Sequence, residues 1–314
     1  MMSTVLESSR IVRTDHAQLP RDASASITWE ASKQTYYTIR FLVDRDRVRD
    51  AYRAYGYFRW LDNQLDQGAL DLPARTAFVE RQQTLIERCY RGDQPRYFSE
   101  EEEWLVNLIR SDTERYSGLQ SYVRHMMAVM AFDARRRGQL VSADELNQYT
   151  RWLATAVTEA MHYFIGHGSR SPQGEMRYLA VTAAHITHML RDTLEDAEAG
   201  YYNIPRETVE AHRIDPREVS SVPYQAWVRS RVHLARRLFA SGREYLSQVE
   251  NPRSRLAGYA YMARFEGVLD SIEQDGYQLR AAYPERKSLV GVIRMGWFAL
   301  TQTFNQPHPH NLPS

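Results

Sequence analysis

The chain is expected to fold as one all-α domain, a helical bundle around a central cavity, and three observations predict it. Apolar residues recur with a 3.6-residue period over long segments. Those segments are separated by Gly- and Pro-containing breaks, and no alternating apolar/polar run bounded by turns marks a strand. Finally, 20 tyrosines and 6 tryptophans supply a broad aromatic interior.

The periodicity predicts helices over about 44–68, 73–92, 99–136, 143–165, 173–199, 223–248 and 253–282. The first carries the aromatic run from Ala51 to Leu61 and stops at Gly68, before Asp71-Leu72-Pro73. The second ends at Gly92-Asp93-Gln94-Pro95. Ser99-Glu100-Glu101-Glu102 and Ser142-Ala143-Asp144-Glu145 have the form of capping boxes and open the third and fourth. Gly166-His167-Gly168 and Ser171-Pro172-Gln173-Gly174 divide the fourth from the fifth, and Asn251-Pro252 opens the last. The stretch 200–222 is too short and too apolar to separate two domains. Residues 1–26 form a flexible polar segment, 27–304 the domain, and 305–314, with three prolines and two histidines, a disordered tail.

Forty basic residues against 39 acidic ones leave a net charge of +1, well mixed, so no nucleic-acid partner is expected. One cysteine, Cys89, allows no internal disulfide and fits a reducing cytoplasm. The polar start shows no secretory signal, and no stretch of about 18 apolar residues would span a bilayer. Leu289 to Phe304 is the exception to plain solubility. It reads as a terminal core helix, with a membrane-surface helix, and hence peripheral membrane association, as the alternative.

Chemistry concentrates in two acidic clusters. Asp62-Asn63-Gln64-Leu65-Asp66 ends the aromatic helix, and Asp192-Thr193-Leu194-Glu195-Asp196 follows the small-residue run from Leu179 to Ala184. In each, two aspartates four residues apart share one helix face, where like charges repel. Either cluster alone reads as a solvated face. Two of them, on helices that look buried, point to a cavity and to a shared cation that could hold a diphosphate. Arg59 and Arg191 beside the clusters either contact phosphate oxygens or pair with their neighbouring aspartates. Tyr57, Phe58, Trp152, Leu153, Val157, Met161 and Leu190 line an apolar tunnel or are ordinary core.

These motifs resemble the squalene and phytoene synthases, head-to-head prenyltransferases with the all-α isoprenoid synthase fold. The run Tyr55-Gly56-Tyr57-Phe58-Arg59-Trp60-Leu61-Asp62-Asn63-Gln64-Leu65-Asp66 is similar to the family's first motif. Leu190-Arg191-Asp192-Thr193-Leu194-Glu195-Asp196, with Gly200 and Ile204-Pro205, is similar to the second. The segment Tyr149 to Glu159 resembles the pocket-lining helix; Phe265 to Tyr277, with Arg286, Ser288 and Leu289, resembles the C-terminal signature. The resemblance implies Mg²⁺, as two or three ions, on Asp62, Asp66, Asp192 and Asp196. It implies a substrate site including Tyr55, Arg59, Ala154, His185, His188, Arg191 and Tyr277, with Tyr149 near the reacting carbons. Two prenyl diphosphates would couple through a cyclopropylcarbinyl diphosphate. NADPH is needed only for a squalene product, and no glycine-rich dinucleotide loop is present.

The chain departs from the pattern at several positions. His188 and His185 stand where asparagine and glutamine are usual, as cavity lining, diphosphate hydrogen-bond donors or metal ligands. Tyr201 and Asn203 replace an Arg-x-Tyr, removing a phosphate-facing cation. Thr155 and Thr158 replace glycines on the pocket helix, Ser32-Lys33-Gln34-Thr35 replaces a Ser-x-Ser-Phe, and Asn63 replaces an aspartate. Three functions are therefore weighed: head-to-head coupling of farnesyl or geranylgeranyl diphosphate, a terpene synthase that cyclises or hydrates one prenyl diphosphate, and a non-catalytic assembly-factor-like relative. Chain length, product and oligomeric state are not legible.

Overall fold

The computed structural model describes residues 22–66, 70–93 and 98–283, and among them there are helices and no strand. The expected terminal helix 289–304, the tail 305–314, and Arg286, Ser288 and Leu289 lie outside the described residues. The order is α1 (Ala23–Ala31), α2 (Lys33–Leu42), α3 (Val48–Asp66), α4 (Leu72–Tyr90), α5 (Glu100–Ser111), α6 (Gly118–Arg136), α7 (Ala143–Phe164), a 3₁₀ turn (Glu175–Tyr178), α8 (Leu179–Ala199), α9 (Arg206–His212), α10 (Val222–Ser247) and α11 (Pro252–Gln274).

Local chemistry sets where these helices begin. Both capping boxes form: Ser99 and Ser142 each accept from the amide three residues on, and Glu102 and Glu145 reach back to the cap amide. Three helices were not expected from periodicity. α1 starts on Asp22, which accepts from the Ser24 amide at 3.0 Å, so Ala23–Ser26 are helical. α2 starts on Ser32, which accepts from the Thr35 amide at 3.2 Å; caps rather than apolar spacing define both. α9 is seven residues long, too short for a periodic signal, and lies within 200–222.

The expected helix 99–136 is two helices. Asp112 ends α5, Tyr116 takes a left-handed φ of 59°, and Ser117 caps α6 by accepting from the Gln120 amide at 2.8 Å. Turn and cap chemistry here override a continuous apolar period. α11 also stops early, at Gln274, because Gly276 and Tyr277 have φ of 63° and 68° and the Tyr277 amide returns to the Ile272 carbonyl at 2.8 Å.

Packing makes two apolar clusters. One joins α1 to α7, including Tyr57, Phe58, Leu61 and Phe132. The other joins α8, α10 and α11, including Leu190, Phe239 and Leu269. Tyr57 and Phe58 are thus ordinary core, and Tyr57 donates to Gln82 at 3.0 Å, which donates to Glu102 at 2.7 Å. The clusters meet where α7 packs antiparallel to α8, and the turn after α2 locks this seam. Asp44 accepts from the amides of Gly166 (3.1 Å) and His167 (2.9 Å) and pairs with Arg253 of α11 at 2.6 Å.

α8 lies unusually close to α10, since a Cβ on Gly242 would sit 2.7 Å from Ala180 Cβ and 2.9 Å from its backbone. Gly242→Val is accordingly expected to cost about 2 kcal/mol through overpacking and to lower the melting temperature, and an unchanged melting curve would refute the close approach.

Candidate active site

α3 buries its aromatic face in the first cluster, leaving Asp62 and Asp66 on the side turned toward α6 and α8. Arg59 pairs with Asp62 at 3.0 Å. On α8, Val181, His185, His188, Asp192 and Asp196 follow one another at steps of four, three, four and four residues, a single stripe. Arg191 holds both oxygens of Asp192, which also accepts from His188 Nε2 at 2.8 Å. Both arginines thus rest on their neighbouring aspartates.

Asp62 and Asp66 of α3 feel Asp133 of α6, and Asp62 also feels His188 of α8. Burial, together with the charges of Asp66 and Asp133, pushes Asp62 up to about 6 against the pull of Arg59 and His188. Asp66 is also raised, by desolvation and by Asp133, again with Arg59 opposing. Asp196 is pushed up to about 6, by burial and by Asp192, although its bond from Asn203 and the charges of Arg136 and His188 favour ionisation. Asp192 goes the other way: burial would raise it, but the bonds from Arg191 and His188 hold it well below the usual carboxylate range. α3, α6 and α8 therefore share one electrostatic site.

α6 contributes residues that the sequence reading did not single out. Arg136 is buried, donates from Nε to Asp133 at 2.7 Å and from Nη1 to Asn203 Oδ1 at 3.0 Å. Asn203 donates onward to Asp196 at 2.6 Å. Tyr149 donates its hydroxyl to Asp133 at 2.8 Å, and its ring lies 5.0 Å from the Arg136 guanidinium. Its phenol is therefore satisfied, and burial beside Asp133 keeps it protonated, far above its usual range. The sequence signal at this end of α6 is the i, i+3 pair Asp133/Arg136, whose arginine sits in the run Arg135-Arg136-Arg137 and resembles an ordinary basic helix end.

His185 is buried against Tyr149, ring centres 5.1 Å apart, and neither ring nitrogen has a hydrogen-bond partner. Burial, with His188, Arg136 and Arg231 nearby, drops it to about 3, so it is neutral. Tyr55 lies at the edge of the site, bonded to Thr35 and within electrostatic range of Arg59 and Asp62. Ala154 is buried on α7 between Tyr149 and Thr158. Tyr277 is not brought to the aspartates. Its left-handed turn sends the ring to α10, where the hydroxyl meets His233 at 3.4 Å and Arg229 lies 5.4 Å from the ring centre.

Farther down the seam between α7, α8, α10 and α11, Thr158, Met161, His162, Val181, Tyr245 and Tyr261 help to line a mostly apolar cavity of about 30 Å³. Val181 stands eleven residues before Asp192 on the same face, about 16 Å along the axis. Of the residues expected to line a tunnel, Met161 borders this small cavity.

Among the described residues no three His, Cys, Asp or Glu side chains form a ready-made metal cage. The donors fit Mg²⁺, which takes one or two carboxylates per ion and completes its shell with water and substrate phosphate. Asp62, Asp66, Asp192 and Asp196 would hold it. His188 is bonded to Asp192, and His185 is buried beside Tyr149.

A raised carboxyl has a measurable sign. Folded Asp196 keeps its proton to about pH 6, above its ordinary 3.8. Its contribution to stability is full below about pH 4 and is lost as pH rises through 6. Asp196→Asn should therefore melt at a higher temperature than the parent at pH 7.5 without metal, and at the same temperature near pH 4. A lower melting temperature at pH 7.5 would contradict the repulsion.

Comparison with known proteins gives this geometry a lineage. Residues 29–289 match the squalene/phytoene synthase family profile. No curated protein sequence matches the chain. Among solved structures, squalene synthase HpnC from Alicyclobacillus acidocaldarius superposes with a TM-score of 0.65 at 18% identity, over 82% of this chain and 94% of its own. A dehydrosqualene synthase solved in complex with ligand gives 0.65 at 16% identity, over 89% and 93%. The helices, their order and the match across most of the domain make this chain a member of the squalene/phytoene synthase family.

Proposed function

We propose that the chain is a Mg²⁺-dependent prenyltransferase that ionises a prenyl diphosphate and couples it head-to-head to a second, releasing diphosphate. The observation that carries this reading is that aspartates of α3 and α8 share charged neighbours: His188 acts on Asp62, Asp192 and Asp196, while Asp133 acts on Asp62 and its ion-pair partner Arg136 acts on Asp196. Carboxyls raised by burial and by neighbouring like charge are groups whose ionised form a cation would favour. Family membership and its relatives' names support the substrate class.

In this reading the C–O bond of one allylic diphosphate breaks with both electrons leaving on oxygen. Mg²⁺, when bound, neutralises charge on that leaving group. Arg59 and Arg191, now on Asp62 and Asp192, are placed to turn toward phosphate oxygens as those carboxylates take metal. The allylic cation alkylates the double bond of the second substrate, and loss of a proton closes a cyclopropane that still carries one diphosphate. The rings of Tyr149 and Phe132, 5.0 Å apart, offer π faces to positive charge.

A single-substrate terpene synthase is the second reading. Thr158, where the family has glycine, lines the small cavity beside Met161 and favours it, since a bulkier pocket wall leaves less room for a second substrate.

Product analysis decides between them. The protein is incubated with farnesyl or geranylgeranyl diphosphate and Mg²⁺, with and without NADPH, and extracts are read by mass spectrometry before and after phosphatase treatment. A C30 or C40 product, or its cyclopropyl diphosphate, is expected; a C15 or C20 hydrocarbon or alcohol would establish the second reading. Asp62→Asn/Asp66→Asn and Asp192→Asn/Asp196→Asn should each lower turnover at least 1,000-fold, by about 4 kcal/mol of transition-state stabilisation, while the fold persists. Retained turnover in either would sink the metal assignment.

A further inference from the structure

Arg136 is a cation fixed in the wall of the site with no counterpart in the acidic motifs. Its side chain is 8% exposed and is held from four sides. Nε is tied to Asp133 at 2.7 Å and Nη1 to Asn203 at 3.0 Å. The rings of Tyr149 and Tyr201 lie 5.0 and 5.1 Å from the guanidinium carbon. The bond to Asn203 settles that residue's orientation. A guanidinium only donates, so it must meet the amide oxygen; the amide nitrogen then faces Asp196, which as a carboxylate only accepts. The result is a directed chain, Arg136 to Asn203 to Asp196, its last link 2.6 Å long.

We propose that Arg136 is a positioning residue for the metal-binding carboxylate Asp196, acting through Asn203, and that it supplies from α6 the fixed positive charge lacking after the second acidic motif. The inference rests on the Mg²⁺–diphosphate reading above. Tyr201 and Asn203 then have a joint role: Tyr201 covers the guanidinium, and Asn203 passes its polarisation to Asp196. An aspartate that must bind a cation beside Asp192 would otherwise swing away from its neighbour or keep its proton. A donor locked by a buried arginine holds one carboxylate oxygen and leaves the other for the ion. Arginine suits the task because its planar fork serves two acceptors at once, which an ammonium serves poorly.

The test uses the full chain and binding rather than turnover. Calorimetry of inorganic diphosphate at a series of Mg²⁺ concentrations is compared for the parent, Arg136→Met, Arg136→Lys, Asn203→Ala and the double variant Arg136→Met/Asn203→Ala. Each single variant is expected to need about tenfold more Mg²⁺ for half-maximal diphosphate binding. The double variant should be no worse than the worse single one, because both act through one chain. Lysine should not restore the parent value. Should Arg136→Met fail to fold, Asn203→Ala alone carries the comparison, because it removes the link and spares the Asp133–Arg136 pair. Parent-like Mg²⁺ dependence in folded variants, or additive losses, would overturn the positioning role and leave the prenyl diphosphate reading standing. No Mg²⁺-dependent binding in the parent would overturn that reading, and this one with it.

Discussion

Burial of carboxyl groups is the constraint around which this site is organised. Asp62 and Asp66 on α3, Asp133 on α6, and Asp192 and Asp196 on α8 occupy one region, near the seam between two apolar clusters. Partial burial strengthens every interaction among them. Arginines answer them: Arg59 on Asp62, Arg191 on Asp192, Arg136 on Asp133. The outcomes differ. Asp192, held by Arg191 and His188, stays ionised, whereas Asp62 and Asp196 are pushed toward protonation. The site thus sets one firmly charged carboxylate beside others whose affinity for protons is raised.

The scaffold holds this strained arrangement by locking helices elsewhere. Asp44 stitches the α2–α3 turn to the end of α7 and the start of α11. Gly242 lets α10 approach Ala180 near the start of α8, fixing the helix that carries Asp192 and Asp196. The buried chain Tyr57–Gln82–Glu102 fixes α3 against α4 and α5. None of these residues lies in the site, yet each holds an element that bears a carboxylate or the wall behind it. Costly local electrostatics are tolerated because packing elsewhere overdetermines the helix positions.

What could be read beforehand follows from the range of each interaction. The i, i+4 aspartate pairs and both capping boxes are local patterns, and the helices bearing them stand where periodicity placed them. The split of 99–136 was invisible because Asp112 to Ser117 interrupts the backbone without interrupting the apolar period. α1, α2 and α9 were missed because short helices with caps leave little periodic trace. The Asp133–Arg136–Asn203–Asp196 chain joins α6 to the loop after α8, 67 residues apart at its Arg136–Asn203 link, and no single-segment pattern encodes it. The expectation of a missing cation after the second motif came from reading Tyr201 and Asn203 along the chain, when the relevant arginine arrives from another helix. Tyr277 shows the converse. Its motif neighbours lie on α11, but two successive left-handed residues turn it away to α10.

The most direct test of a single cation–diphosphate site is calorimetric titration of inorganic diphosphate into Asp62→Asn/Asp66→Asn and Asp192→Asn/Asp196→Asn beside the parent, with Mg²⁺ and with a chelator. The account predicts binding by the parent only with Mg²⁺, and its loss in both double variants, since neither helix alone holds the bridged ions. Metal-independent binding, or full affinity after the loss of either pair, would contradict it.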